Sequence, residues 1–132
     1  MKIQDIILNF HDLISIWIDN ITKSELLTHP KLGASWEAFA LESIIQGQGI
    51  SSADCFYWGV HGQVEIDLIT PIGADKVGYE IKYSSSPSAT KAMHTAITDL
   101  GLDQLYIVYP GEKSFPLAPK IRAISLHDAM NI

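Results

Sequence analysis

The sequence has one cysteine and no long uninterrupted apolar run. Cys55 has no partner within the chain, so an intrachain disulfide is excluded and a reducing cytosol is expected. The apolar stretch at 6–18 is broken by polar residues, and no small-residue cleavage site follows it, so neither a membrane span nor a signal peptide is predicted. The sequence therefore predicts a cytoplasmic protein that has no membrane partner.

Basic residues are also scarce. Lysine and arginine together number 9 against 15 acidic residues, which gives a formal net charge of −6. Proteins that hold nucleic acid by bulk charge carry a basic patch, and this composition argues against one. A nuclease of this composition needs a metal, a partner or another domain to supply positive charge. No G-x-x-x-x-G-K-[ST] loop occurs, so we expect neither ATP hydrolysis nor a nucleotide cofactor.

The remaining composition is that of a globular protein. The chain has 132 residues, 47% of them hydrophobic and 18% charged, which suits one domain with a substantial core. Residues 1–27 have the spacing of one or two short amphipathic helices and are predicted to be a helical segment, the remnant of a linker. Residues 28–132 are predicted to form the functional domain, and no second domain or internal repeat is found.

Hydrophobic periodicity within 28–132 predicts an α/β fold with a mixed sheet. The expected order is a helix, a three-stranded antiparallel meander, a second helix, a strand parallel to the third strand, and a final strand at the sheet edge. The corresponding segments are 34–46, 55–60, 64–69, 78–83, 88–100, 105–109 and 121–126. The aromatic residues Trp36, Tyr57 and Trp58 lie within this apolar periodicity and are expected to pack in the core.

Acidic residues cluster on two neighbouring strands of the meander. The two-residue period places Glu65 and Asp67 on one face of the second strand, opposite Val64, Ile66 and Leu68. Glu80 and Lys82 share a face of the third strand. Crowded carboxylates favour a cation between them, and a hard divalent ion with oxygen ligands is the simplest one. An ordinary solvated strand face has the same pattern, so both interpretations stay open.

A further acid lies on the first predicted helix. Winding residues 34–46 as a helix places Glu37 in the middle of an apolar arc, whereas Glu42 points away from it. A carboxylate on an apolar face is costly unless it meets a partner or a metal. The alternative is an acid near the helix N-terminus that is stabilised by the macrodipole while its head reaches solvent.

These motifs carry a family resemblance. An acid on the first helix, Asp67 on the second strand and Glu80-Ile81-Lys82 on the third resemble the restriction-endonuclease-like PD-(D/E)XK superfamily. The strings LGASWE at 32–37, EID at 65–67 and LGLD at 100–103 resemble the uncharacterised domain that ends a group of prokaryotic AAA-type ATPases. The resemblance spans 25–126. The proline that precedes the first motif acid in many superfamily members is replaced here by Ile66.

The resemblance implies a magnesium or manganese site that hydrolyses DNA phosphodiesters. It assigns Asp67 and Glu80 as metal ligands, the Ile81 carbonyl as a third oxygen, and Glu37 as the helix acid of resolvase-like members. Lys82 would stabilise negative charge on the phosphate or lower the pKa of the attacking water. Glu65 is a secondary candidate from the carboxylate clustering.

Three functions remain open at this stage. The first is a magnesium-dependent endonuclease that acts on DNA. The second is a non-catalytic interaction or regulatory module that docks on an ATPase or another protein. The third is a vestigial fragment, since the chain resembles a stand-alone or truncated tail whose first residue lies inside the linker.

Overall fold

The computed structural model describes residues 30–60 and 64–132. They form a mixed α/β fold with a six-stranded sheet and three α-helices. The helices are α1 (Pro30–Gln48), α2 (Lys91–Leu100) and α3 (Leu126–Met130). The strands are β1 (Phe56–Val60), β2 (Val64–Ile72), β3 (Asp75–Ile81), β4 (Gln104–Tyr109), β5 (Phe115–Ala118) and β6 (Ile121–Ser125). The helices predicted in residues 1–27 and the turn predicted at 61–62 lie outside the described residues.

The sheet is antiparallel on one side and parallel in its centre. Its strand order is β1-β2-β3-β4-β6-β5. β1, β2 and β3 form the predicted antiparallel meander, and β3 pairs with β4 in parallel after the crossover through α2. β4 and β6 are also parallel, whereas β5 runs antiparallel to β6. The meander and the parallel position of β4 are therefore confirmed.

Helices cover both faces of the sheet and bury two apolar layers. The α1 face packs α1 and α3 against the sheet through Ala40, Ile44, Leu68, Val77, Tyr79, Ile81, Val108, Ile124 and Ala129. The α2 face packs α2 against the sheet through Ile66, Ile69, Met93, Ala96, Ile97, Leu102, Leu105, Ile107 and Ile121. Two covered faces explain the near-continuous apolar run of β4, because alternate residues of that strand enter different layers.

A β-bulge interrupts the alternation of β2. Phe56 pairs with Ile69 and Trp58 with Ile66, so β2 has one more residue than β1 between these pairs. Ile66 consequently packs on the α2 face and Leu68 on the α1 face. The prediction that both share a face is wrong, because an extra residue shifts the two-residue period. Asp67 lies at this irregularity.

The last predicted strand is not at the edge. β6 lies between β4 and β5, and β5 forms the edge instead. The segment of β5 contains Pro116 and lies between the predicted segments 105–109 and 121–126, where no strand was predicted. An edge strand tolerates proline because its outward N–H positions need no sheet partner, so the short strand escaped detection.

Two helix starts also differ from expectation. α1 begins at Pro30 rather than near Ala34, which is compatible with proline at the first helical position. α2 begins at Lys91 after Thr90, whose side chain accepts a hydrogen bond from the Met93 amide. It ends at Leu100 and is followed by Gly101 in the left-handed conformation. None of the helices in the described ranges is long and apolar enough to cross a membrane.

Candidate active site

The candidate site lies where β2 and β3 separate, a place we term the fork. The last paired residues there are Leu68 and Tyr79. Beyond them β3 continues to Ile81 while remaining paired with β4 on its other side. The Ile81 amide donates a hydrogen bond of 2.7 Å to Oδ2 of Asp67. The Asp67 side chain therefore bridges the two strands where their Cα pairing has ended.

Glu80 and Lys82 meet at the end of β3. Lys82 Nζ lies 3.1 Å from Oε1 of Glu80, and their side chains are 52% and 7% exposed respectively. Oε2 of Glu80 is buried and has no hydrogen-bond partner among the described residues. Because Tyr79 and Ile81 pack on the α1 face, strand alternation directs Glu80 to the α2 face. A buried carboxylate oxygen without a partner is costly and indicates a missing cation or donor.

Glu37 reaches the same end of β3 from α1. Its Oε1 accepts a hydrogen bond of 3.2 Å from the amide of Tyr83, the residue that follows Lys82. The rings of Trp36 and Tyr83 pack with their centroids 5.9 Å apart. The apolar arc of α1 is buried as expected, and Glu37 turns toward the sheet rather than into open solvent. The structure thus gives this acid a backbone partner that the sequence alone did not reveal.

Burial and neighbouring carboxylates raise the pKa values of two acids of the fork, Asp67 and Glu80. Burial raises the pKa of Asp67 to about 6, the Ile81 amide opposes this shift, and the charges of Glu37, Glu80 and Glu65 reinforce it. Burial also raises the pKa of Glu80, and the hydrogen bond and charge of Lys82 counteract the effect. Four acids therefore influence one small region, and Lys82 is the cation that contacts one of them directly. We call Glu37, Glu65, Asp67, Glu80 and Lys82 the acid–lysine cluster.

Two carboxylates of the acid–lysine cluster are suited to binding a hard cation, and the other proposed ligands are not directly supported. Within the described ranges, no group of three or more His, Cys, Asp or Glu side chains is arranged to hold a metal ion. Magnesium, however, commonly binds through one or two carboxylates and keeps several waters. The unpartnered Oε2 of Glu80, and the burial and neighbouring charges that raise the pKa of Asp67, are compatible with a cation held by these two carboxylates. Asp67 and Glu80 therefore fit such an ion, whereas the present positions give no direct support for Glu37 or the Ile81 carbonyl as ligands.

Tyr57 borders the cluster, although the sequence predicted it to lie in the core. Its side chain is 62% exposed on the edge strand β1. A Cβ added at Gly59 would clash with the Tyr57 hydroxyl, so the glycine leaves room for the ring beside β1. Desolvation, followed by the charges of Glu65 and Asp67, raises the pKa of the Tyr57 phenol. Trp36 and Trp58 do pack against the core as expected.

The chain is similar in sequence to one known protein family. Residues 32–129 match the family model described as a domain of unknown function, DUF4143. The chain belongs to this family. DUF4143 domains are found in C-terminal regions associated with AAA-type ATPases, so that part of the expected resemblance is confirmed. The likeness to PD-(D/E)XK nucleases stays a prediction.

Two curated mycobacterial proteins are similar in sequence to this DUF4143 domain. An uncharacterised protein of Mycobacterium tuberculosis, Rv2008c, is 41% identical to the chain over 96 residues. An uncharacterised protein of Mycobacterium bovis, Mb2031c, has the same identity over the same length. The match covers 73% of the chain and 21% of each relative, so the chain spans about a fifth of their length. No solved structure matches the chain significantly.

The loop after β3 is a functional candidate of this DUF4143 domain that sequence reasoning missed. Ser84 to Thr90 connect the fork to α2, and hydroxyl side chains of this loop line a cavity next to Lys82. On its own, the serine-rich string at 84–88 indicates only a polar break that can cap a helix. The loop is close to Lys82 in the sequence, and this closeness is the signal that could have identified it as part of the candidate site.

Proposed function

We propose that the acid–lysine cluster binds magnesium or manganese and hydrolyses a phosphodiester bond of DNA, on a PD-(D/E)XK-like fold. The observation that carries this proposal is the buried, unpartnered Oε2 of Glu80 beside the raised pKa of Asp67. Both features are unfavourable for folding alone, and a divalent cation between the two carboxylates would relieve both. Carboxylates whose pKa values are perturbed by burial and by neighbouring charges are characteristic of functional sites.

Asp67 and Glu80 would hold the ion. A bound magnesium would supply a Lewis acid and a water of lowered pKa. The Ile81 carbonyl and Glu37 are further proposed ligands, and Glu65 is a secondary one. Because Oε1 of Glu37 already accepts from the Tyr83 amide, its other oxygen is the one that remains for an ion.

Lys82 would act on the phosphate. Its ammonium has three N–H donors, and one is directed at Glu80 at 3.1 Å. The side chain is half exposed, so its remaining donors can meet phosphate oxygens that gain negative charge during hydrolysis. Glu80 in turn fixes the position of the ammonium, which reduces the conformational freedom that binding would otherwise remove.

The first experiment measures metal binding without requiring turnover. Thermal unfolding is followed with and without magnesium or manganese, in the parent and in Asp67→Asn. An ion at ten times its Kd contributes about 1.4 kcal/mol, which raises the parent Tm by on the order of 5 °C. Asp67→Asn should show little rise, whereas Asp99→Asn, an exposed acid on α2, should respond as the parent does.

The second experiment tests hydrolysis. Parent, Asp67→Asn and Lys82→Ala proteins are incubated with supercoiled, linear and branched DNA in magnesium or manganese. The parent should nick at least one substrate, and both variants should lose about 100-fold or more of the rate, as expected when a group that stabilises the transition state is removed. A parent that neither binds metal nor cuts any of these substrates would exclude the proposal.

A second candidate function is a non-catalytic module that docks on an ATPase or another protein. The net charge of −6 disfavours DNA, and the edge strand β1 exposes Phe56 and Tyr57 by 60% and 62%. Exposed edge strands are suited to pairing with a partner strand. A parent without metal-dependent Tm change, combined with stable binding to an ATPase module, would favour this function over hydrolysis.

A further inference from the structure

A small cavity lies beside Lys82, between the end of β3 and the start of α2. Its volume is about 120 Å³. The cavity therefore has room for several waters, and this space suits one phosphate group of five heavy atoms. Met93 and Ile107 contribute its apolar lining.

The polar lining of this cavity consists of hydrogen-bond donors. It is formed by Lys82, Ser84, Ser86, Ser88 and Thr90, and none of the aspartates or glutamates in 30–60 and 64–132 lines it. By contrast, the cavity near the start of α3 includes Glu112 and Asp128. Oε1 of Glu80 lies 3.1 Å from Lys82 Nζ, so this ammonium is already paired with one carboxylate, and its remaining N–H donors together with the hydroxyls are what an anion can bind. Hydroxyl groups and an ammonium are the donors that bind phosphate oxygens.

The loop holds these donors in place while leaving their hydrogens available. The Ser84 amide donates to the Lys82 carbonyl at 3.0 Å, and the Ser86 amide donates to the Ser84 hydroxyl at 3.2 Å. The Thr90 hydroxyl accepts from the Met93 amide at 3.3 Å. Ser84 and Thr90 therefore act as acceptors within the loop, and each hydroxyl can still donate its own hydrogen. The side chain of Ser88 has no hydrogen bond to any other described residue.

We propose that this cavity binds a single phosphate group of a nucleic-acid strand. The assignment rests on the proposed hydrolytic function, because it places one strand phosphate next to the acid–lysine cluster through the shared Lys82. It would allow an acidic chain to hold nucleic acid without a basic surface. Hydroxyl donors and one ammonium would replace the cluster of lysines and arginines that the sequence lacks.

The test measures anion binding with no metal present. The full chain, labelled with ¹⁵N, is titrated in EDTA with inorganic phosphate at constant ionic strength. A second titration uses a short single-stranded oligodeoxynucleotide that has no terminal phosphate. Both should give saturable amide shifts confined to residues 82–93. Ser86→Ala combined with Ser88→Ala should weaken binding by about tenfold or more, as expected for two lost hydrogen bonds to a charged group.

The matched control is Ser85→Ala, because Ser85 is in the same loop but lines a neighbouring cavity instead. It should bind as the parent does, and amide spectra confirm that every variant is folded. Absence of saturable shifts, or equal binding by the double variant, would overturn the site. Binding of inorganic phosphate alone would overturn its assignment to a nucleic-acid strand. Phosphate binding without DNA cleavage in magnesium would remove the hydrolytic function while leaving the anion site established.

Discussion

At the scale of single residues, Asp67 combines a structural and a chemical role. Its carboxylate accepts the Ile81 amide, and its pKa is raised to about 6 by burial and neighbouring acids. An aspartate in an unfolded chain has a pKa near 3.9. Between these two values the folded protein retains a proton that the unfolded chain has released. The free energy of unfolding therefore falls as pH rises from about 4 to about 6 and stays lower above that range.

This pH dependence gives a prediction for Asp67→Asn. The amide oxygen of asparagine can still accept from Ile81, but the charge is gone. In EDTA we expect the parent and the variant to have similar unfolding free energies near pH 4. At pH 7 the variant should be more stable by up to roughly 3 kcal/mol, the free energy that corresponds to the pKa shift. Urea unfolding across pH 4–8 measures the difference.

The exposed acid of α2 provides the control for that experiment. Asp99→Asn should follow the parent across the whole pH range. If Asp67→Asn is destabilised equally at every pH, the ionised carboxylate is not under strain, and the electrostatic basis of the proposed site is lost. Magnesium should narrow the difference in unfolding free energy at pH 7, because it stabilises the parent and not the variant.

At the scale of secondary-structure elements, two glycines are expected to respond oppositely to alanine. A Cβ at Gly78 in β3 would lie 2.9 Å from Cδ1 of Leu102 and 3.2 Å from atoms of Ile66 and Leu105. A Cβ at Gly33 in α1 would lie 3.5 Å from Tyr83, which is ordinary van der Waals contact. Gly78→Ala should therefore destabilise by about 1–3 kcal/mol, and Gly33→Ala should stabilise by about 0.5–1 kcal/mol.

Urea unfolding at fixed pH measures both substitutions. The two variants control for each other, because each adds the same methyl group. A Gly78→Ala protein as stable as the parent would show that the α2 face is not packed as closely as described. A destabilised Gly33→Ala protein would indicate that the contact between α1 and Tyr83 does not tolerate added volume.

Some features of these elements were predictable from sequence patterns, and others were not. The helical arc of α1, the meander and the buried strand β4 were predicted, because each has a period that local sequence expresses directly. The bulge at Asp67 was not, because an extra residue is defined by the pairing of β2 with β1 rather than by either strand alone. The order of the last two strands failed for the same reason, since the position of β6 depends on the unrecognised β5.

For the candidate site, the sequence predicted which residues are involved, but it did not predict their hydrogen-bond partners. The motif strings identified Glu37, Asp67, Glu80 and Lys82 by resemblance. Nothing in those strings states that Glu37 bonds the Tyr83 amide, or that one oxygen of Glu80 is buried without a partner. Such details depend on where β2 and β3 separate, and that separation is a property of the folded sheet.

At the scale of the whole molecule, stability is expected to decrease from the centre of the sheet to its edges. β3 and β4 have strand neighbours on both sides and lie between the two apolar layers, whereas β1 and β5 are at the edges. Amide hydrogen exchange should be slowest at buried central residues such as Tyr79 and Ile107. It should be fastest among the paired strands in β1 and β5.

Native-state exchange followed by NMR or mass spectrometry measures this gradient. If the slowest amides exchange only on global unfolding, their exchange free energy should equal that obtained from urea. Protection in β1 as strong as that in β4 would contradict the gradient and would indicate that a partner covers this edge in solution.

The hydrogen bond from the Ile81 amide to Asp67 makes that amide a useful NMR probe of the candidate site. The Ile81 amide hydrogen is held by the very carboxylate that a cation, a proton or a substrate would engage. Its resonance frequency is therefore an intrinsic reporter of the occupancy of the fork, readable without a substrate, a dye or an assay of turnover. The cross-peak of the Ile81 amide, followed while a cation, protons or a substrate is titrated, would show when its hydrogen bond to Asp67 changes.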